Sequence, residues 1–289
     1  MYTFGEELKY LRQNRHYTQQ ELANNTIARD TVARIELHNQ NTAFQTGIQL
    51  LENLGLSLTD YENQLIAHKS NNFSELVNLF MFEYTSPSDV DVLNKIHNLA
   101  CLIYSEKENT MVKNLYTVSE VMLLMNEVDT GAVKMNDLKN KIEPVWEDLS
   151  KVDEWSMLDL KILNSILFIF DLEVAQKIVQ RACCALDKKY PSIKWLKASF
   201  LTNYCYLLMI NNELSEAITY IKRARITAAS TGRYDLVVVA DVRKLYLEQD
   251  ENWKSHIEEK YKLFDEIGLD DVIIILKNEQ NNVLKLLHK

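Results

Sequence analysis

Four residues in one short segment carry the clearest chemistry of the chain: Arg29, Asp30, Thr31 and Arg34. On a helix they cluster in the first two turns. An arginine there can donate two parallel hydrogen bonds to guanine O6 and N7, and an aspartate can accept from a cytosine amine while being repelled by phosphate. The segment follows Thr18-Gln-Gln-Glu21, a capping box in which the Thr18 hydroxyl accepts from the amide of residue 21 and Glu21 reaches back. The short turn Asn24-Asn25-Thr26 lies between them. Two short helices joined this way form a helix-turn-helix, whose second helix lies in the major groove with its N-terminal residues against base edges. The competing reading leaves Arg29 and Arg34 as surface ion pairs with Asp30 and Glu36.

Other chemistries find no support. Cys101, Cys183, Cys184 and Cys205 form no CxxC and have no histidine at ligand spacing, so small buried helix residues are expected rather than a metal or disulfide framework. The 6 histidines are scattered, and neither a Gly-rich phosphate loop nor HExxH or GxSxG is present. No enzyme activity, cofactor or metal is expected.

The elements that must position these residues are helices. Only 6 glycines and 3 prolines occur in 289 residues, too few for the turns of a sandwich, a barrel or a Gly-rich nucleotide-binding sheet. With 47% hydrophobic and 25% charged residues, the chain can bury ordinary cores. No apolar run is long enough to cross a bilayer, and the first residues lack a basic n-region before an apolar core, so a cytoplasmic protein without membrane contact is expected.

Residues 1–66 read as a separate unit, with Leu8, Leu11, Leu22, Ala23, Ile27, Val32, Ile35, Ile48, Leu51, Leu54 and Leu58 as its core. Gly5-x2-Leu8-x2-Leu11-Arg12-x2-Arg15, then Tyr17-Thr-Gln-Gln-Glu-Leu-Ala23 and Ile27-Ala-Arg-Asp-Thr-Val-Ala-Arg-Ile-Glu36, resemble the lambda-repressor-like helix-turn-helix of the xenobiotic-response-element group. Three residues between Leu22-Ala23 and the recognition segment, where most of that group have four, narrow the resemblance to the Rgg and PlcR regulators. The resemblance implies that Arg12, Gln19, Asn41 and Thr42 contact phosphate.

This unit holds five basic and eight acidic residues, a formal charge of −3, within a chain of net charge −9. Affinity for DNA grows with the phosphates neutralised, so so few cations favour two copies on a two-fold site. A homodimer on double-stranded promoter DNA is therefore expected.

After a linker at 67–72, residues 73–289 read as about eleven helices. The expected breaks fall at Ser86-Pro87-Ser88, near Glu106 to Thr110, at Asp129-Thr-Gly131, around Lys151, at Phe170-Asp171, Tyr190-Pro191, Asn211-Asn212, Thr231-Gly232, Gln249 to Asn252 and Ile267-Gly268. Pro144 should kink one helix, Met135 to Leu149, or start a new one. Ala175-x3-Val179-x2-Ala182 recurs 42 residues later as Ala217-x3-Ile221-x2-Ala224, and small residues at these places let paired helices approach. The pattern resembles the second helix of a tetratricopeptide unit, which makes the expected fold all-α, a helix-turn-helix followed by a tetratricopeptide-like solenoid. The last helix, from about Leu269 to Leu287, is apolar enough to pack on a partner or back on the solenoid. Leu149 to Trp155 with Asp159 to Phe168 resembles the central region of Rgg proteins. That resemblance implies a short linear signalling peptide bound on the concave face, as in quorum sensing.

Within such a solenoid, helix 198–210 packs Leu201, Tyr204, Cys205 and Leu208 inward, which should turn Thr202, Asn203, Tyr206 and Met209 away. A shift of 42 residues places Asn164 in register with Tyr206. An Asn amide can bridge the N–H and C=O groups of an extended peptide, although a core amide satisfied by backbone is the alternative. Arg243, on the next first helix, can meet a peptide carboxylate, or merely Asp241 or Glu248. A sequestering interaction protein, or a repressor without a ligand, also fits these residues.

Overall fold

A computed structural model describes residues 3–24, 26–38, 42–68, 72–86, 88–125 and 133–287. The described residues form sixteen α-helices and no strand: α1 (Phe4–Asn14), α2 (Gln19–Leu22), α3 (Arg29–His38), α4 (Phe44–Asn53), α5 (Leu58–His68), α6 (Asn72–Asn78), α7 (Val90–Glu106), α8 (Thr110–Met125), α9 (Met135–Ser150), α10 (Met157–Ser165), α11 (Leu172–Lys188), α12 (Trp195–Ile210), α13 (Leu214–Ser230), α14 (Tyr234–Glu248), α15 (Trp253–Glu266) and α16 (Asp270–Leu287). A π-helical turn, Leu79–Glu83, follows α6, and 3-10 turns precede α11 and α12. Eleven α-helices after residue 70 match the number expected. The expected breaks at Pro87 and Asp129-Thr-Gly131 lie outside the described residues.

Helix starts follow local chemistry. Thr18 and Glu21 make the expected capping box, and Thr3 with Glu6 and Ser156 with Asp159 make two more. Hairpin ends follow equally local rules. The backbone turns left-handed at Asn212, Gly232 and Gly268, with φ of 62°, 75° and 71°. The next amide in each case reaches the carbonyl five residues back: Glu213 to Leu208, Arg233 to Ala228 and Leu269 to Phe264, at 2.9, 2.9 and 2.8 Å. Glycine or asparagine suits these turns because a left-handed backbone strains most other side chains. Pro144 starts no new helix: α9 continues from Met135 to Ser150 with that residue on its exposed face, which leaves the kink as the alternative of the two. A carbonyl left without its donor there can turn to water.

The chain divides into two compact units, residues 1–78 and 79–289, so α6 falls with the first. The first is built on Leu8, Leu11, Leu22, Ile27, Val32, Ile35, Leu50, Leu51 and Leu54. Leu58, expected in this core, is 45% exposed. Ser57 caps α5 by accepting from the Asp60 amide, which leaves Leu58 in the first turn on the solvent side. Ile48 is only half-buried.

In the second unit α11 packs on α12, α12 on α13, α13 on α14, and α14 on α15. Helix α12 also meets α10, α14 and α16, and α16 reaches α14 as well. The repeated small residues do what their spacing suggested: Ala175, Val179 and Ala182 of α11, and Ala217, Ile221 and Ala224 of α13, are all fully buried. The last helix packs back on the unit through Leu276, Glu279 and Val283, leaving Ile274 and Ile275 exposed.

Of the four cysteines, Cys183 and Cys205 are buried as expected, whereas Cys101 and Cys184 are exposed. Burial pushes the Cys183 thiol up to about 11 and that of Cys205 up to about 12. A disulfide reagent at pH 8 should therefore modify two thiols of the folded protein at once and the other two only on unfolding; four fast thiols would contradict this packing. Among the described residues no group of three His, Cys, Asp or Glu could hold a metal, and no helix is long and apolar enough to cross a membrane.

Candidate functional site

The turn before α3 is built by its asparagine. The Asn24 side chain accepts from the amides of Thr26 and Ile27 at 2.8 and 2.7 Å, and Asn53 of α4 donates to the Leu22 carbonyl at 3.0 Å, closing the end of α2. With Val32 and Ile35 buried, α3 turns Arg29, Asp30 and Arg34 to solvent and leaves Thr31 half-buried. Arg34 makes only long contacts among the described residues, to the Asp30 carbonyl at 3.4 Å and the Thr31 hydroxyl at 3.5 Å. Among the described residues neither Arg29 nor Arg34 is ion-paired, so the surface-pair alternative does not hold. Of the four expected base-reading residues, Arg29, Asp30 and Arg34 share one accessible edge, with Thr31 half-buried beside them.

Glu36 is spent elsewhere, and this corrects the place expected for Arg12. The Arg12 guanidinium donates to both Glu36 carboxylate oxygens, at 2.6 and 2.8 Å, and to the Tyr17 carbonyl at 2.6 Å. It is 9% exposed, turned into the protein rather than toward a phosphate. Glu36 holds the Arg12 charge above its ordinary range, chiefly through this hydrogen bond. The Gln19 amide donates to the same carboxylate at 2.9 Å, so its amide too is committed inside the unit. Arg12 and Gln19 thus tie α1 and α2 to α3. The placement was legible, since Arg12 follows Leu8 by four residues and so shares its face. Thr42 is half-buried, and Asn41 lies outside the described residues.

In the second unit, α12 and the helices α10 and α14 that meet it carry polar contacts. Asn203 of α12 donates to the backbone and side-chain oxygens of Asn164 on α10, both at 3.3 Å, and both residues are half-buried. Asn164 is thus hydrogen-bonded to Asn203, 39 residues on.

Arg243 is a second correction. Neither Asp241 nor Glu248 pairs with it; Glu279, 36 residues on, accepts from it at 2.9 and 2.7 Å, and the Thr202 carbonyl at 2.5 Å. Burial works against its charge, but Glu279 outweighs it and holds the guanidinium above the ordinary arginine range. Buried at 5% exposure and fully paired, Arg243 is not presented to a ligand in this arrangement; its guanidinium lies 5.6 Å from the half-buried Tyr206 ring.

Thr202 and Met209, expected to face away from the seam, are 4% and 0% exposed. The reason is that five helices, α10, α11, α13, α14 and α16, pack against α12. Apart from Lys197, half-buried and paired with Asp187, what stays accessible is one stripe: Trp195, Ser199, Asn203 and Tyr206, half-buried, and Ile210, exposed. These recur at intervals of four, four, three and four, the spacing of one helix face. Trp195, Ser199 and Ile210 were missed, though counting in fours from Asn203 and Tyr206 finds them.

No protein-family model matches the sequence, and no curated protein matches it significantly. Solved structures do. The Streptococcus dysgalactiae SHP pheromone receptor Rgg2 superposes with a TM-score of 0.68 at 14% identity, over 96% of this chain and 99% of that one. A transcriptional regulator of Listeria monocytogenes EGD-e gives 0.71 at 14% identity, over 97% and 98%. Bacillus thuringiensis PlcR, solved with the peptide PapR7 and DNA, gives 0.68 at 15% identity, over 96% and 99%. Across nearly its whole length, the chain has the fold of these regulators: a helix-turn-helix unit followed by a tetratricopeptide-like helical repeat.

Proposed function

We propose that the protein is a cytoplasmic transcription regulator that binds promoter DNA as a homodimer and is controlled by a short linear peptide. The observation that carries this reading is the union in one chain of an accessible Arg29-Asp30-Arg34 edge and an open stripe on a repeat helix, within the fold of receptors solved with DNA and signalling peptides. Arg29, Asp30, Thr31 and Arg34 read base edges, and two protomers supply the phosphate contacts that a unit of charge −3 lacks. The peptide lies along the stripe, where Asn164 and Asn203 exchange their mutual contact for its backbone groups. Peptide binding shifts the population between two arrangements of the protomers, which requires different affinities for them.

Footprinting on the protein's own upstream region, with and without synthetic peptides encoded by neighbouring short reading frames, tests this. Arg29→Ala should weaken specific DNA binding by about 1–3 kcal/mol, roughly tenfold or more, with peptide binding unchanged. Asn164→Ala should lower peptide affinity about tenfold with DNA binding unchanged. No protected DNA sinks the proposal, and protection indifferent to every peptide points to a repressor without a ligand.

A further inference from the structure

Lys161 of α10 is a buried cation for which the described residues provide no carboxylate. It is 7% exposed, and its ammonium donates to the Tyr84 carbonyl at 3.0 Å. No other acceptor takes its remaining protons among the described residues. The ammonium lies 5.5 Å from the centre of the Tyr84 ring and 5.6 Å from that of Trp195. On the same Trp195 ring, at 6.0 Å, sits the guanidinium of Arg233. Arg233 is matched by Asp235, which accepts from it at 2.9 and 2.5 Å. With one acid to two bases, the cluster keeps an excess positive charge around one indole.

The backbone adds to it. Helices α12 and α14 both begin here, at Trp195 and Tyr234, and neither N-cap residue, Lys194 or Arg233, caps its helix with a side chain. A helix N-terminus carries a partial positive charge, and Asp235 in the first turn of α14 is already engaged by Arg233. Burial, and then the nearby Arg233, push the Lys161 ammonium down to about 8. A buried charge is costly without an opposite partner, and a carbonyl alone does not supply one. Trp195 is also the first residue of the open α12 stripe, so the cationic cluster sits where a bound chain would end or pass.

We infer that Lys161 and Arg233, on either side of Trp195, form a subsite for a carboxylate of a bound peptide. This rests on the peptide-receptor reading above and adds to it the chemical group recognised. The carboxylate is either the peptide's C-terminus or an Asp or Glu side chain. It would complete the Lys161 charge, accept the free ammonium protons and lie against helix N-termini.

Three pools of random heptapeptides on full-length protein, read by mass spectrometry of what is retained, test the inference. One pool has free C-termini, the second is C-terminally amidated, and the third has free C-termini but lacks Asp and Glu. Retention of the first over the second by about tenfold or more identifies a terminal carboxylate, and over the third a side-chain carboxylate. Lys161→Met and Arg233→Gln should each reduce that discrimination, and together abolish it, while pool binding along the stripe persists. Replacing a buried ammonium by an apolar chain of similar length keeps the fold, and the Arg233 change lies at a half-exposed helix end. Equal retention of all three pools by the native protein overturns the subsite and leaves the groove standing. Discrimination that survives both substitutions overturns the assignment to these residues, and retention of no pool removes the peptide reading and the subsite with it.

Discussion

Glu279→Ala should destabilise the repeat unit by about 3–5 kcal/mol, the cost of stranding a buried arginine. The side chains of Arg243 and Glu279 are 6% and 9% exposed, and the pair joins α14 to α16 while Arg243 also donates to the α12 carbonyl of Thr202. Removal of the carboxylate leaves a guanidinium that can neither lose its proton nor reach water. The loss belongs to one partner being absent, not to a large net worth of the pair. The double substitution Arg243→Met with Glu279→Leu should therefore recover most of the loss. Urea unfolding followed by circular dichroism separates the cases; a single-variant cost below about 1 kcal/mol would show that water reaches Arg243.

A comparable effect is expected in the first unit, with a different consequence. Glu36→Ala strands Arg12 and releases the Gln19 amide, removing three donors' shared acceptor at once. A loss of about 3–5 kcal/mol is of the order of the whole stability of a domain this small. DNA binding should collapse although Glu36 faces the interior at 4% exposure. Arg29→Ala should weaken DNA binding too, but with a melting transition shifted by no more than about 0.5 kcal/mol of stability, as for an exposed substitution. A melting curve run beside a DNA titration distinguishes them. If Glu36→Ala melts like the native protein, the Arg12 network is not what holds the helices together.

Much of the architecture lies in local chemistry. Thr18 and Glu21, three residues apart, announce a helix start, and Gly232 and Gly268 announce ends, because caps and left-handed turns involve neighbours within five residues. The exposure of Arg29, Asp30 and Arg34 is likewise implied by the burial of Val32 and Ile35 on the same helix. Pro144 does not end its helix because a proline on a solvent-facing turn costs one hydrogen bond that water can replace, while Leu138, Ile142, Val145 and Leu149 hold the helix from its other face.

Pairings over long separations were not legible in the same way. Arg12 finds Glu36, 24 residues away, and Arg243 finds Glu279, 36 away, although acids nearer in sequence were available to both. On α12 a period of 3.6 picks out a buried face only when the helix has an exposed one, and five neighbouring helices leave it a single stripe. Amino-acid order alone thus settled the helical class, the helix ends, the exposed edge of α3 and the repeated small residues, all consequences of contacts within a turn or two. Which charges meet, which side of α12 stays open and where Lys161 is left without an acid among the described residues were decided by packing, because each depends on helices distant in the chain competing for the same space.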